Sequence, residues 1–187
     1  MRSIKEIIED SELSFENELV KVLVKKDLPN IETAGIDLKS FKTGDEVELP
    51  YWIAIELFKD GFVSFLDDYA ITLMSLSKIH WRETLLDSRQ ITKLNKNFYR
   101  ILKRFLRDLK LSSGDDRTKS ADFEKALSLS KDIINCRLRK IVSLATASVK
   151  SGEAIQNLTI EEELLYRKLS SIVNEWKDKL LSLEGAL

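Results

Sequence analysis

Both prolines of the chain, Pro29 and Pro50, lie in its first third, and no proline follows through to Leu187. Proline lacks a backbone N–H and clashes with the preceding helical turn, so it breaks helices wherever it falls inside one. Its confinement to the start leaves the last two thirds free to form long uninterrupted helices and forces short elements on the beginning. Gly35, Gly44 and Gly61 share that first third, with only Gly114, Gly152 and Gly185 beyond it.

The punctuated region reads as a small α/β unit. Leu19 to Val24 is a short apolar strand that ends at a turn around Asp27–Asn30. Thr43-Gly44-Asp45 predicts a tight turn into the alternating strand Val47–Leu49. Pro50 then suits a helix start, where its missing N–H has no intrahelical acceptor. Tyr51 to Phe58 has the composition of a short buried helix, and Gly61 stands where a left-handed residue closes one. Phe62 to Phe65 returns as a strand. Trp52 is expected in the core of this unit and Tyr51 toward a neighbouring subunit.

From residue 67 the apolar positions recur at three- and four-residue steps. The spacing predicts a helix from Asp68 to Arg89, with Ile71, Met74, Leu76, Ile79, Leu85 and Leu86 apolar. A second runs from Thr92 to Leu111 on Leu94, Phe98, Ile101, Phe105 and Leu109. After a polar loop, Ser120 is a candidate N-cap for a third helix reaching about Lys150, with Phe123, Leu127, Ile134, Leu138, Ile141 and Ala145 as its stripe. Thr159 and Glu162 form a capping box for a fourth, whose inner face is Leu165, Leu169, Ile172, Val173, Trp176 and Leu180. The expected architecture is mainly α: a small α/β domain over residues 1–66 followed by a helical bundle over 67–187.

Charge and composition narrow the function. Thirty Lys and Arg against 31 Asp and Glu leave a net charge of −1, so the chain as a whole gains little attraction to a polyanion. No apolar run approaches the ~18 residues of a membrane span, and the first 18 residues are charged throughout, unlike a secretory signal. Cys136 is the single cysteine, so no intramolecular disulfide forms. A soluble, cytoplasmic protein is expected.

Groupings that carry bond chemistry are missing from the sequence. His80 and Cys136 are the only members of their types, too few for a zinc site, which needs about four ligands. Neither a nucleophile elbow nor a glycine-rich phosphate loop occurs. The acidic pairs Asp67-Asp68 and Asp115-Asp116 read as helix-start charges rather than metal ligands. No catalytic residue, metal or cofactor is expected. An enzyme would have to reveal itself as acids gathered with His80 in one pocket.

One charged feature stands out. Lys93, Lys96, Arg100, Lys103, Arg104, Arg107 and Lys110 share the second predicted helix, opposed only by Asp108. Such a face is solvated, meets an acidic protein surface, or contacts DNA phosphates without regard to sequence. Tyr99 is the sole aromatic beside it that could stack on a base. On the third helix, Arg137, Arg139 and Lys140 are candidates for salt bridges with Glu161–Glu163 across the bundle.

Two stretches resemble one family. Gly44-Asp-Glu-Val-Glu-Leu-Pro-Tyr-Trp-Ile-Ala54 is similar to the turn–strand–LP-aromatic-W–helix signature in the small domain of GINS subunits. Arg137-Leu-Arg-Lys-Ile141, followed by Asn157-Leu-Thr-Ile-Glu-Glu-Glu163, resembles the R-x-x-K helix and L-T-x-x-E helix start of their helical domain. The small domain coming first resembles the archaeal type akin to the eukaryotic Psf-two and Psf-three subunits. The resemblance spans roughly Leu19 to Leu181. It implies a non-catalytic scaffold subunit in a heterotetramer of two copies with two of a complementary subunit. That assembly would serve DNA replication at the fork, linking the MCM helicase to a RecJ-like protein. Helices three and four, with Arg137, Arg139 and Lys140, would contribute to subunit contacts.

Overall fold

A computed structural model describes residues 15–33, 36–38, 40–66, 69–85, 90–113, 117–147 and 152–182. The chain divides into two compact units, Met1–Ala70 and Ile71–Leu187, against the 66/67 boundary expected. The acidic pairs Asp67-Asp68 and Asp115-Asp116 lie outside the described residues, as do most of the first 18 and the expected ends of the first and third helices at Arg89 and Lys150.

In the first unit, β1 (Leu19–Val24) is the centre of a three-stranded antiparallel sheet between β4 (Glu46–Pro50) and β5 (Val63–Phe65). The register pairs Val22 with Val47 on one side and with Phe65 on the other. Alternation decides its faces: Val20, Val22 and Val24 are buried, while Leu19 and Lys21 are exposed. A separate hairpin, β2 (Ile31–Thr33) with β3 (Ile36–Leu38), was not legible from the sequence. Gly44 takes φ +97° in the turn before β4, a conformation that costs a side-chain-bearing residue energy. The Asp27 carboxylate fastens the same turn, accepting from the Thr43 N–H and hydroxyl, both at 2.8 Å.

Helix α1 (Tyr51–Lys59) follows Pro50 directly. It ends in a Schellman arrangement: Gly61, at φ +73°, donates to the Phe58 carbonyl and Phe62 to that of Leu57. Tyr51 is buried in this unit's own aromatic cluster, its ring centroid 4.3 Å from Phe15 and 6.1 Å from Phe65. That corrects the expectation that it faces a neighbour: its ring is spent on the core of this small unit. Trp52, expected in the core, is only half-buried.

The second unit is the bundle: α2 (Leu73–Leu85), α3 (Phe98–Ser113), α4 (Arg117–Thr146), the short α5 (Gly152–Gln156) and α6 (Ile160–Leu181). With 30 residues, α4 is the longest and spans about 45 Å at 1.5 Å per residue. It serves two apolar cores. Ala126 in its first half and Ile133 near its middle pack with Leu76, Phe98 and Leu102. Further along, Ile141, Leu144 and Ala145 pack with Ile91, Ala154, Leu158 and Tyr166.

Helix α3 starts six residues later than expected. The segment from Thr92 to Asn97 is not helical; its backbone serves other elements, with the Asn97 carbonyl accepting from Arg100 and Ile101 to open the helix. Helix α6 begins as expected: Thr159 accepts from the Glu162 N–H while the Glu162 carboxylate accepts from the Thr159 N–H.

Candidate interaction surface

The inward face of α4 determines what remains outside. Ile133, Arg137, Lys140, Ile141 and Leu144 are buried along it, whereas Ile134, Leu138 and Val142 are exposed. The apolar stripe read from the sequence placed Ile134 and Leu138 inside; the helix is rotated away from that reading by two buried cations. Arg137 and Lys140 are therefore internal ties rather than partner contacts, and only Arg139 of the three is exposed.

The ties are dense. Arg137 Nε and Nη2 donate to the two carboxylate oxygens of Glu162 at 2.5 and 2.7 Å, a bidentate fork. Its Nη1 donates to Glu83 Oε1 at 2.5 Å and to the Thr92 carbonyl at 3.0 Å. Lys140 Nζ donates to Glu83 Oε2 at 2.8 Å and to the Glu83 carbonyl at 2.9 Å. The Thr92 hydroxyl also bonds Glu83, and the Tyr99 hydroxyl donates to Glu162 at 2.6 Å. One cluster thus joins α2, α3, α4 and α6 between the two apolar cores. Salt bridging from Arg137 to the Glu161–Glu163 segment, left open by the sequence, occurs in a fully buried form.

Mutual stabilisation offsets the cost of desolvating these charges, several kcal/mol per ion. Burial works against ionisation of Glu83. Bonds from Lys140 and Thr92, with the charges of Arg137 and Lys140, outweigh it and hold the carboxyl below its ordinary value of 4.5. Burial also disfavours the Arg137 cation, yet the bonds and charges of Glu162 and Glu83 keep it protonated more firmly than usual. Burial and the adjacent Glu162 push the Tyr99 phenol far above its ordinary range. Tyr99, its hydroxyl committed and its ring edge-on to Phe98, is no stacking platform for a base.

Glu83 is the residue that sequence reasoning missed. Its signal was present: it follows the buried Leu76 by seven residues and so shares its helix face. Cys136 donates its thiol to the Glu83 carbonyl at 3.2 Å. Beside it, a cleft of about 570 Å³ is lined by His80, Thr84, Asp132, Asn135, Cys136, Leu138 and Arg139. His80 Nε2 lies 3.8 Å from the Asp132 carboxylate. Asp132 is the acid that lines this cleft with His80.

The basic residues do not form one stripe. Lys93 and Lys96 precede α3, and the Lys96 ammonium donates to the carbonyls of Gln156 and Leu158 at 2.9 and 2.6 Å. Arg100 turns to Asn97 and to Glu161, 3.2 Å away, and Arg104 is partly covered. Lys103, Arg107 and Lys110 are exposed.

The outside of the bundle carries rows of large apolar side chains. Ile134, Leu138 and Val142 form a row on α4 at four-residue steps, each 42% exposed. Ile172, Trp176 and Leu180 form another on α6, at 63%, 63% and 65%. Met74, Trp81 and Leu85 share a third on α2. The expectation that Ile172, Trp176 and Leu180 are core is thereby corrected. Helix α6 runs in the same direction as α4, since Arg137 meets Glu162 and the Thr146 carbonyl meets Lys177. It continues past the end of α4, and from Ser171 onward only Val173 and Lys177 among its described residues are even partly covered.

Rows of large apolar side chains on a folded bundle mark surfaces that another protein covers. A bundle cross-tied by buried ions, with such rows outside, defines a helical subunit of a protein assembly. Residues 70–181, more than half of the chain, match the family model described as "Sld5: GINS complex protein helical bundle domain". The chain belongs to the GINS family, non-catalytic components of a DNA-replication complex. A search of curated proteins finds no match. No helix among the described residues is long and apolar enough to cross a membrane.

Proposed function

We propose that this chain is a non-catalytic scaffold subunit of the GINS complex, of the archaeal, small-domain-first type akin to Psf-two and Psf-three. Its exposed apolar rows bind a complementary GINS subunit in a two-plus-two heterotetramer. The assembly links the MCM helicase to a RecJ-like protein at cytoplasmic replication forks. The carrying observation is the uncovered row Ile172–Trp176–Leu180 on a helix otherwise anchored in the bundle. Supporting the type is the order of units, since the matched bundle follows the small sheet-containing unit.

Light scattering on the purified chain, alone and mixed with a candidate complementary subunit, tests this reading. The mixture is expected to run as one species with the mass of two copies of each. A chain that stays monomeric and ignores that subunit removes the proposal.

A further inference from the structure

Helix α3 is the most strongly amphipathic in the bundle, and its polar side carries a surface separate from the apolar rows. At 100° per residue, Phe98, Ile101, Leu102, Phe105 and Leu109 mark its inward side, and Lys103, Arg107 and Lys110 fall together opposite. All three are exposed. Arg100 and Arg104 lie on one flank and are partly covered. Asp108, the helix's only acid, lies roughly 100° to 160° around the axis from each of the three. A rise of 1.5 Å per residue spaces the three cations about 6 and 4.5 Å apart along it.

The chemistry of the row selects its ligand. Protein-docking faces are built on apolar or aromatic anchors and are poor in lysine. Here two lysines and an arginine stand together, and the exposed large apolar side chain of this helix, Leu111, lies past the last of them rather than among them. A phosphate backbone needs no anchor, only cations that displace its condensed counterions, and it offers a charge roughly every 3.4 Å of axis per strand. We infer that Lys103, Arg107 and Lys110 contact the sugar–phosphate backbone of a nucleic acid without regard to base sequence. The net charge of −1 confines the attraction to this face and makes it weak. The contact is independent of the apolar rows, so it stands or falls apart from subunit assembly.

Fluorescence anisotropy of the full chain with a labelled random-sequence duplex, and with its single strand, tests the inference. Three phosphate contacts predict a slope of about −2.7 for log affinity against log salt on duplex, and about −2.1 on the single strand. On duplex, affinity is then expected to fall roughly 40-fold between about 50 and 200 mM salt. Lys103→Glu/Arg107→Glu/Lys110→Glu is expected to abolish binding while the circular-dichroism melt stays unchanged. Lys119→Glu/Lys125→Glu/Lys131→Glu, a charge-matched reversal of exposed α4 lysines, is expected to keep most of it. Should the first variant not fold, Arg107→Gln alone is expected to lower the slope by about one. Salt-insensitive or absent binding, equal loss in both triple variants, or capture by poly-glutamate in place of DNA would each overturn it.

Discussion

A single guanidinium makes the strongest demands on this bundle. Arg137 is fully buried, and its donors are matched by two carboxylates and backbone carbonyls from several separate segments. Removing it leaves Glu162 buried without that cation and Glu83 with Lys140 as its remaining one, so Arg137→Met is expected to lower stability by about 3–5 kcal/mol; urea denaturation measures it. Acid should act on the same cluster. Because the folded-state carboxyl of Glu83 titrates below its ordinary 4.5, its contribution is complete above that value and is lost as pH falls through the depressed one. Melting temperature followed by circular dichroism is therefore expected to decline below about pH 4.5, less steeply in Glu83→Gln than in the unaltered chain. A melting curve indifferent to that substitution would show that Glu83 does not carry the acid sensitivity.

At the scale of the element, α6 divides into two halves with different duties. Its first turn is fixed by the capping box of Thr159 and Glu162, and Thr159→Ala is expected to cost about 1 kcal/mol, read as a shift of the denaturation midpoint. Its second half carries Trp176 and Leu180 exposed. Polar replacements there remove little buried surface, so Trp176→Ser/Leu180→Ser is expected to change monomer stability by no more than about 0.5 kcal/mol. The same pair is expected to abolish co-elution with the complementary subunit. Loss of stability without loss of co-elution would assign the row to the core after all.

For the whole molecule, stability and assembly are linked by mass action. A ligand that binds only the folded state stabilises it by about 2.7 kcal/mol at a hundredfold excess over its dissociation constant. Titrating the complementary subunit is accordingly expected to raise the melting temperature of this chain with concentration, and to shift Trp176 emission to the blue as its indole leaves water. A melting temperature independent of the added subunit would contradict the assembly reading.

Local rules carried much of this architecture into view from the sequence. Confinement of proline to the start separated a punctuated unit from a helical one, and the positive φ of Gly44 and Gly61 and the capping box at Thr159 follow from chemistry within a few residues. Helical periodicity located α4 and α6 but misjudged which way their faces turn. Arg137 and Lys140 counted as surface charges until Glu83 and Glu162, from α2 and α6, supplied the carboxylates that draw them inside. Trp176 and Leu180 counted as core because an apolar row looks the same whether its own chain or another covers it. Hydrophobic spacing is written in one segment, while burial depends on which other segments arrive beside it. The strands β1, β4 and β5 and the long helices were therefore legible in the sequence alone, and only the tertiary structure decided which charges are hidden and which apolar rows are left for another protein.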